Sequence, residues 1–128
     1  VKRLDISELL RAVLPPEQFQ HIYADELSRH LRLLHKKGSG APIFLSGEEF
    51  IFVDRAGFHR LLQFFVMGLI SKEMLRYILD ALTLDTKTRF VDKDDKEMAM
   101  DLSDEGFGRV EIETILADSS QKQGPENS

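Results

Sequence analysis

The sequence predicts a mainly α-helical domain with an αα-hairpin and one or two short β-hairpins, becoming α+β if both hairpins form. Three observations carry this. Apolar residues recur at three- and four-residue steps over two long stretches, 19–34 and 58–82. Helix-capping and helix-stopping residues stand at the ends of those stretches. Between and after them lie short β-branched and aromatic runs flanked by turn residues. At 128 residues with 42% hydrophobic content, the chain is sized for one domain with a core of its own. A single globular unit over 1–118 is expected, with an internal break at 38–42 and a disordered tail at 119–128 rich in Gln, Ser and charge.

The elements follow in order. A first helix is expected over about Ile6–Val13, with Asp5 as N-cap and Glu8 three residues on completing a capping box. Pro15 and Pro16 stop it, and Pro16 suits the first turn of the next helix. Phe19, Ile22, Tyr23, Leu27, Leu31 and Leu34 then mark one core-facing stripe of a second helix, closed by Lys36, Lys37 and Gly38. Over 43–54 two readings stand: a β-hairpin around Ser46-Gly47, or a helix capped by Ser46 with Glu49 at its third position. Phe58, Leu61, Leu62, Phe65 and Val66 define a helix over Ala56–Met67. Gly68 turns the chain, Ser71 caps, and Leu75, Ile78, Leu79 and Leu82 line the next helix, completing an αα-hairpin of helix-turn-helix proportions. Thr86–Val91 reads as a strand and Asp92–Lys96 as a polar turn. The alternation through Met98, Met100 and Leu102 reads as a return strand. Val110–Leu116 fits a strand or a final helix.

Composition removes whole classes of chemistry. With no cysteine there is no disulfide scaffold, thiolate metal site or cysteine nucleophile. No apolar run approaches the ~20 residues of a membrane span, so no membrane partner and a cytoplasmic location are expected. His21 and Asp25 have helical ligand spacing but lack a third ligand in sequence, and the Asp92–Glu97 cluster lacks the glycine and spacing of a calcium loop. Ser46-Gly47 is not a nucleophile elbow, and Gly38-Ser39-Gly40 lacks the Gly-Lys-Ser/Thr of a phosphate loop. The paired carboxylates stand in polar surroundings. No catalytic residue, metal or cofactor is expected, and the chain reads as a non-enzyme.

Two contact chemistries remain. Phe64-Phe65-Val66-Met67 is apolar on more than one helical face, so the helices over 56–67 and 72–82 should offer a surface to a protein partner or a second copy. Phe64, Phe65 and Leu69 are its expected exposed anchors. A small regulatory or adaptor protein acting through helix-mediated contacts is the leading expectation. The alternative is a nucleic-acid-associated regulator. Residues 1–72 hold ten Lys and Arg against eight Asp and Glu, whereas 73–128 hold seven against fourteen. Arg29, Arg32, Lys36, Lys37, Lys72 and Arg76 would supply the phosphate contacts, although only Lys72 and Arg76 serve the candidate recognition helix.

The stretch Phe44-Leu45-Ser46-Gly47-Glu48-Glu49, Val53-Asp54, Gly57-Phe58, Leu61-Leu62, Phe65, Gly68-Leu69-Ile70, Glu73 and Ile78-Leu79-Asp80-Ala81-Leu82 resembles the second half of the Smg family of bacterial proteins. The resemblance covers about a third of the chain. It implies a helical fold with no assigned activity and no catalytic residue. Smg-like proteins end in a strongly apolar helix, whereas this chain continues into the acidic 92–118 region.

Overall fold

The computed structural model describes the backbone of residues 1–37 and 43–126 and the side chains of residues 1–34 and 43–118. Among these it contains seven helices and a two-stranded sheet: α1 (Arg3–Leu10), α2 (Pro16–Ile22), α3 (Ala24–Lys37), β1 (Ile51–Val53), α4 (Arg55–Val66), α5 (Lys72–Leu84), β2 (Thr88–Phe90), α6 (Lys93–Glu105) and α7 (Arg109–Glu126). The fold is mainly α with a small β component, the class the sequence predicts.

The α4–α5 hairpin forms as expected because its signals are local. Asp54 caps α4 by accepting a 2.7 Å hydrogen bond from the Gly57 N–H, and Ser71 caps α5 by accepting one of 3.0 Å from the Met74 N–H. Gly68, at φ +77°, makes the turn between them in the left-handed region that glycine enters without penalty. Leu75, Ile78, Leu79 and Leu82 are all buried. α5 is the central element, packing on α3, α4 and α6, while α4 also contacts α1 and α7.

Four expectations fail. The first helix begins at Arg3 rather than Ile6, and its N-cap is Lys2, not Asp5. Lys2 is held extended by a parallel bridge to Ser46, which sets the helix start two residues before the expected cap. Asp5 instead accepts a hydrogen bond from the Tyr23 hydroxyl. The second helix is two helices, because the backbone at Tyr23 leaves helical geometry (φ −104°, ψ 11°). That break accompanies a ring contact of Tyr23 with Phe19 and the anchoring of its hydroxyl on Lys2 and Asp5.

Neither the hairpin nor the helix expected over 43–54 forms. Ile51–Val53 pairs in parallel with Thr88–Phe90 (Ile51 opposite Thr88, Phe52 opposite Arg89, Val53 opposite Phe90), so its partner lies across the whole α4–α5 hairpin. The second hairpin is likewise replaced. Asp92 caps α6 through the Asp94 N–H at 2.8 Å, and 93–105 is helical, burying Asp95, Ala99, Leu102 and Ser103 at helical spacing. For Val110–Leu116 the helical reading holds, as part of α7. The expected tail falls beyond the last described side chain, and the expected break at 38–42 lies outside the described residues.

One contiguous apolar cluster draws on all seven helices and β1, with Phe90 of β2 packed against it and Ile6, Leu9, Phe19, Ile51, Phe58, Leu61, Leu62, Leu75, Ile78, Leu79 and Ile112 at its centre. Arg3 ties α1 to the end of α5 by a two-oxygen pairing with Asp85. Arg55 ties the start of α4 to the start of α6, reaching Asp92 at 2.7 Å and Asp95 at 3.5 Å.

Candidate functional site

The expected apolar anchors are largely used inside the molecule. Phe64 is only 9% exposed and belongs to the core, so it is not the free contact residue the sequence suggests. Phe65 is half-buried and meets Phe107 edge-to-face, ring centroids 5.4 Å apart, with the Lys72 ammonium 5.8 Å from the same Phe107 ring. Leu69 is half-buried in the turn. α7 packs on α4 and Phe107 covers Phe65, closing part of the face that a lone αα-hairpin would expose.

The exposed aromatic surface lies instead on the outer face of the sheet. Ile51 and Val53 point into the core, and the strand's two-residue alternation turns Phe50 and Phe52 outward. Phe52 is 66% exposed, and the two rings stack with centroids 6.3 Å apart. From the neighbouring strand segment the Arg89 guanidinium lies 5.1 Å and the Lys87 ammonium 5.7 Å from the Phe50 ring centroid. Lys87 also reaches the Glu48 carboxylate at 3.3 Å, and Glu49 stands beside it in sequence. Val91, exposed, continues the β2 side of this face. The signal was present in the sequence as Phe50-Ile51-Phe52-Val53 and Arg89-Phe90-Val91, but it takes a sheet to read it as an inside and an outside.

The basic residues fall into two groups. Arg29 and Arg32 are exposed on α3, while Lys72 and Arg76 line a cleft of about 520 Å³ between α3, α5 and α6. The side chains of Lys36 and Lys37 lie outside the described residues. Buried His30 and Tyr77 meet edge-to-face in the same cleft, and Asp80 and Asp104 stand at it too. Burial lowers the His30 pKa, against the charge of Glu26. Burial also raises the Asp80 carboxyl, with the charge of Arg76 working against the shift and that of Asp104 adding to it. α5 is a poor recognition helix: it buries Met74, Leu75, Tyr77, Ile78, Leu79, Ala81 and Leu82, and its open stripe mixes Lys72 and Arg76 with Glu73 and Asp80.

Among the described residues no group of three or more His, Asp or Glu side chains could hold a metal ion, and no helix is long and apolar enough to cross a membrane. No family model, curated protein or solved structure matches the chain.

Proposed function

We propose that the protein is a non-enzymatic contact module, a small regulatory or adaptor protein, that self-associates through the outer face of β1 and β2. The observation that supports this most is the stacked, outward-facing Phe50–Phe52 pair with Arg89 and Lys87 against it. Exposed aromatics grouped with a guanidinium are the residue types that anchor protein interfaces. The charges around them are of both signs: Arg89 and Lys87 are cationic, Glu48 and Glu49 acidic, and Lys87 already pairs with Glu48 within one copy.

Light scattering across a concentration series tests this. The wild-type protein should shift from monomer to dimer, and Phe52→Glu should remain a folded monomer at every concentration. A wild-type protein that stays strictly monomeric at high micromolar concentration overturns the reading, as does a Phe52→Glu variant that dimerises normally. The nucleic-acid alternative rests on exposed Arg29 and Arg32 with Lys72 and Arg76. It requires duplex or single-stranded DNA binding that weakens steeply between two salt concentrations.

A further inference from the structure

Helices α4, α6 and α7 border a cavity of about 190 Å³ that shares no residue with the aromatic face of the sheet. Phe58, Met98 and Ile115 form its apolar wall, and Arg55, His59, Asp94 and Asp95 its polar one. The volume lies below the roughly 300 Å³ of the smallest drug-sized sites, so it takes a group of a few heavy atoms.

Asp95 is the member of this lining that the fold leaves unsatisfied. Its side chain is 7% exposed, and its Oδ2 is buried with no hydrogen-bond partner among the described residues. The cation that pairs with it falls short. Arg55 spends Nη2 on Asp92 at 2.7 Å, while its Nε stands 3.5 Å from Asp95 Oδ1 and is itself buried without a hydrogen bond. Buried polar atoms in folded proteins are normally paired, so a carboxylate held in this way lacks a donor. Burial raises the Asp95 pKa, and the charge of Arg55 opposes that shift without cancelling it.

The charge of the lining sets the sign of the missing partner. Arg55 stands against both Asp94 and Asp95, and Asp92 already draws on it. Asp94 is exposed, and its carboxylate enters no ion pair or hydrogen bond among the described residues. An anion would therefore meet two carboxylates, and a neutral molecule would leave both uncompensated. A bare metal ion does not fit either, because no three His, Asp or Glu side chains among the described residues come together to hold one. Burial lowers the His59 pKa, against the charge of Asp95 and with that of Arg55, and an uncharged imidazole offers one acceptor nitrogen.

We infer that this cavity binds a primary alkylammonium group, its three N–H donors shared among Asp95, Asp94 and His59 and its alkyl chain laid against Phe58, Met98 and Ile115. The broad torsional well of a terminal carboxyl lets Asp95 turn Oδ2 toward the incoming donor. The group can arrive as a free amine or as the tip of a lysine side chain, and the chemistry recognised is the same.

The test is an amide-resolved NMR titration at constant ionic strength and about pH 8, where His59 is uncharged and the probes are cations. The probes are n-butylammonium and, for the side-chain form, Nα-acetyl-lysine methylamide. Butan-1-ol and butyrate, which keep the alkyl chain without the positive charge, are the controls. At least one ammonium probe should give saturable shifts at His59, Asp95 and Ile115 with a dissociation constant of about 5 mM or tighter, the tighter probe naming the source. Both controls should bind about tenfold more weakly or worse. Asp95→Asn, confirmed folded by its melting curve, should weaken binding by about tenfold. Asp94→Asn, at an exposed position, should weaken it without disturbing the core. Phe52→Glu should bind as the wild type does, whatever becomes of its self-association. The proposal fails if neither ammonium probe saturates, if butan-1-ol binds as tightly as n-butylammonium, or if Asp95→Asn and Asp94→Asn bind unchanged.

Discussion

Arg3 and Asp85 form a two-oxygen ion pair across the fold, with Nη2 2.8 Å from Oδ1 and Nε 3.1 Å from Oδ2. The Asp85 side chain is 4% exposed and also accepts a 2.8 Å hydrogen bond from the Thr88 hydroxyl. One carboxylate therefore joins α1, the end of α5 and the start of β2.

Removing the cation from that pair strands a buried charge. Arg3→Gln should cost about 3 kcal/mol of stability, measured by urea denaturation. A loss below about 0.5 kcal/mol would place the pair with ordinary surface bridges. Burial opposes the Asp85 carboxylate, but hydrogen bonds from Arg3, Thr88 and the Lys87 backbone outweigh it and hold its pKa below the usual carboxylate range. Its stabilisation is complete above the unfolded value of about 3.9 and is lost as pH falls through the lower folded value. In Arg3→Gln that part of the acid sensitivity should shrink.

Phe64 and Phe52 test which aromatic surface is core and which is free. Phe64→Ala should cost about 3 kcal/mol, because it empties a site in the packed core. Phe52→Ala should change monomer stability by no more than about 0.5 kcal/mol while weakening self-association. Thermal melts at low protein concentration separate the two effects. Equal losses at both positions would contradict the assignment of inside and outside.

The pH dependence of folding should carry two opposite signs. Burial depresses His30 and His59, so each contributes stability that is present above about pH 6.5 and fades as pH falls through its folded value. Melting temperature should accordingly drop between roughly pH 7 and 5, and less steeply in His30→Phe, which cannot titrate. Asp80 behaves in reverse: its raised pKa means that ionisation at neutral pH opposes folding. Asp80→Asn should therefore melt higher than the wild type at neutral pH and show no advantage near pH 3. An equal gain at both pH values would assign the effect to packing instead.

What could be read from sequence was whatever local physics decides. The α4–α5 hairpin announced itself through Gly68 and Ser71 and through apolar spacing, all within one or two turns of chain, whereas the Asp54 cap was seen only in the structure. The sheet did not, because Ile51 finds Thr88 across intervening helices and nothing near either strand encodes the other. α6 was hidden for a different reason. Met98, Met100 and Leu102 mimic a strand's alternation, while the helical face that packs is made of Asp95, Ala99, Leu102 and Ser103, two of which are polar. The candidate surfaces followed the same division. The four-residue rhythm of Lys72 and Arg76 was legible. The facing groups His30 and Ser103 come from helices brought together only by packing, and Phe65 looked free because its cover, Phe107, lies about forty residues further on.

The parallel pairing of β1 with β2 has a consequence for when the aromatic face exists at all. A hairpin can zip from its turn, but a parallel pair has no turn to start from and must wait until the helices between its strands have docked. A chain released only as far as α5 would carry Phe50 and Phe52 without the strand that holds Lys87 and Arg89 beside them. The face that carries Phe50, Phe52, Lys87 and Arg89 together is thus complete only when both strands and the α4–α5 hairpin between them are in place.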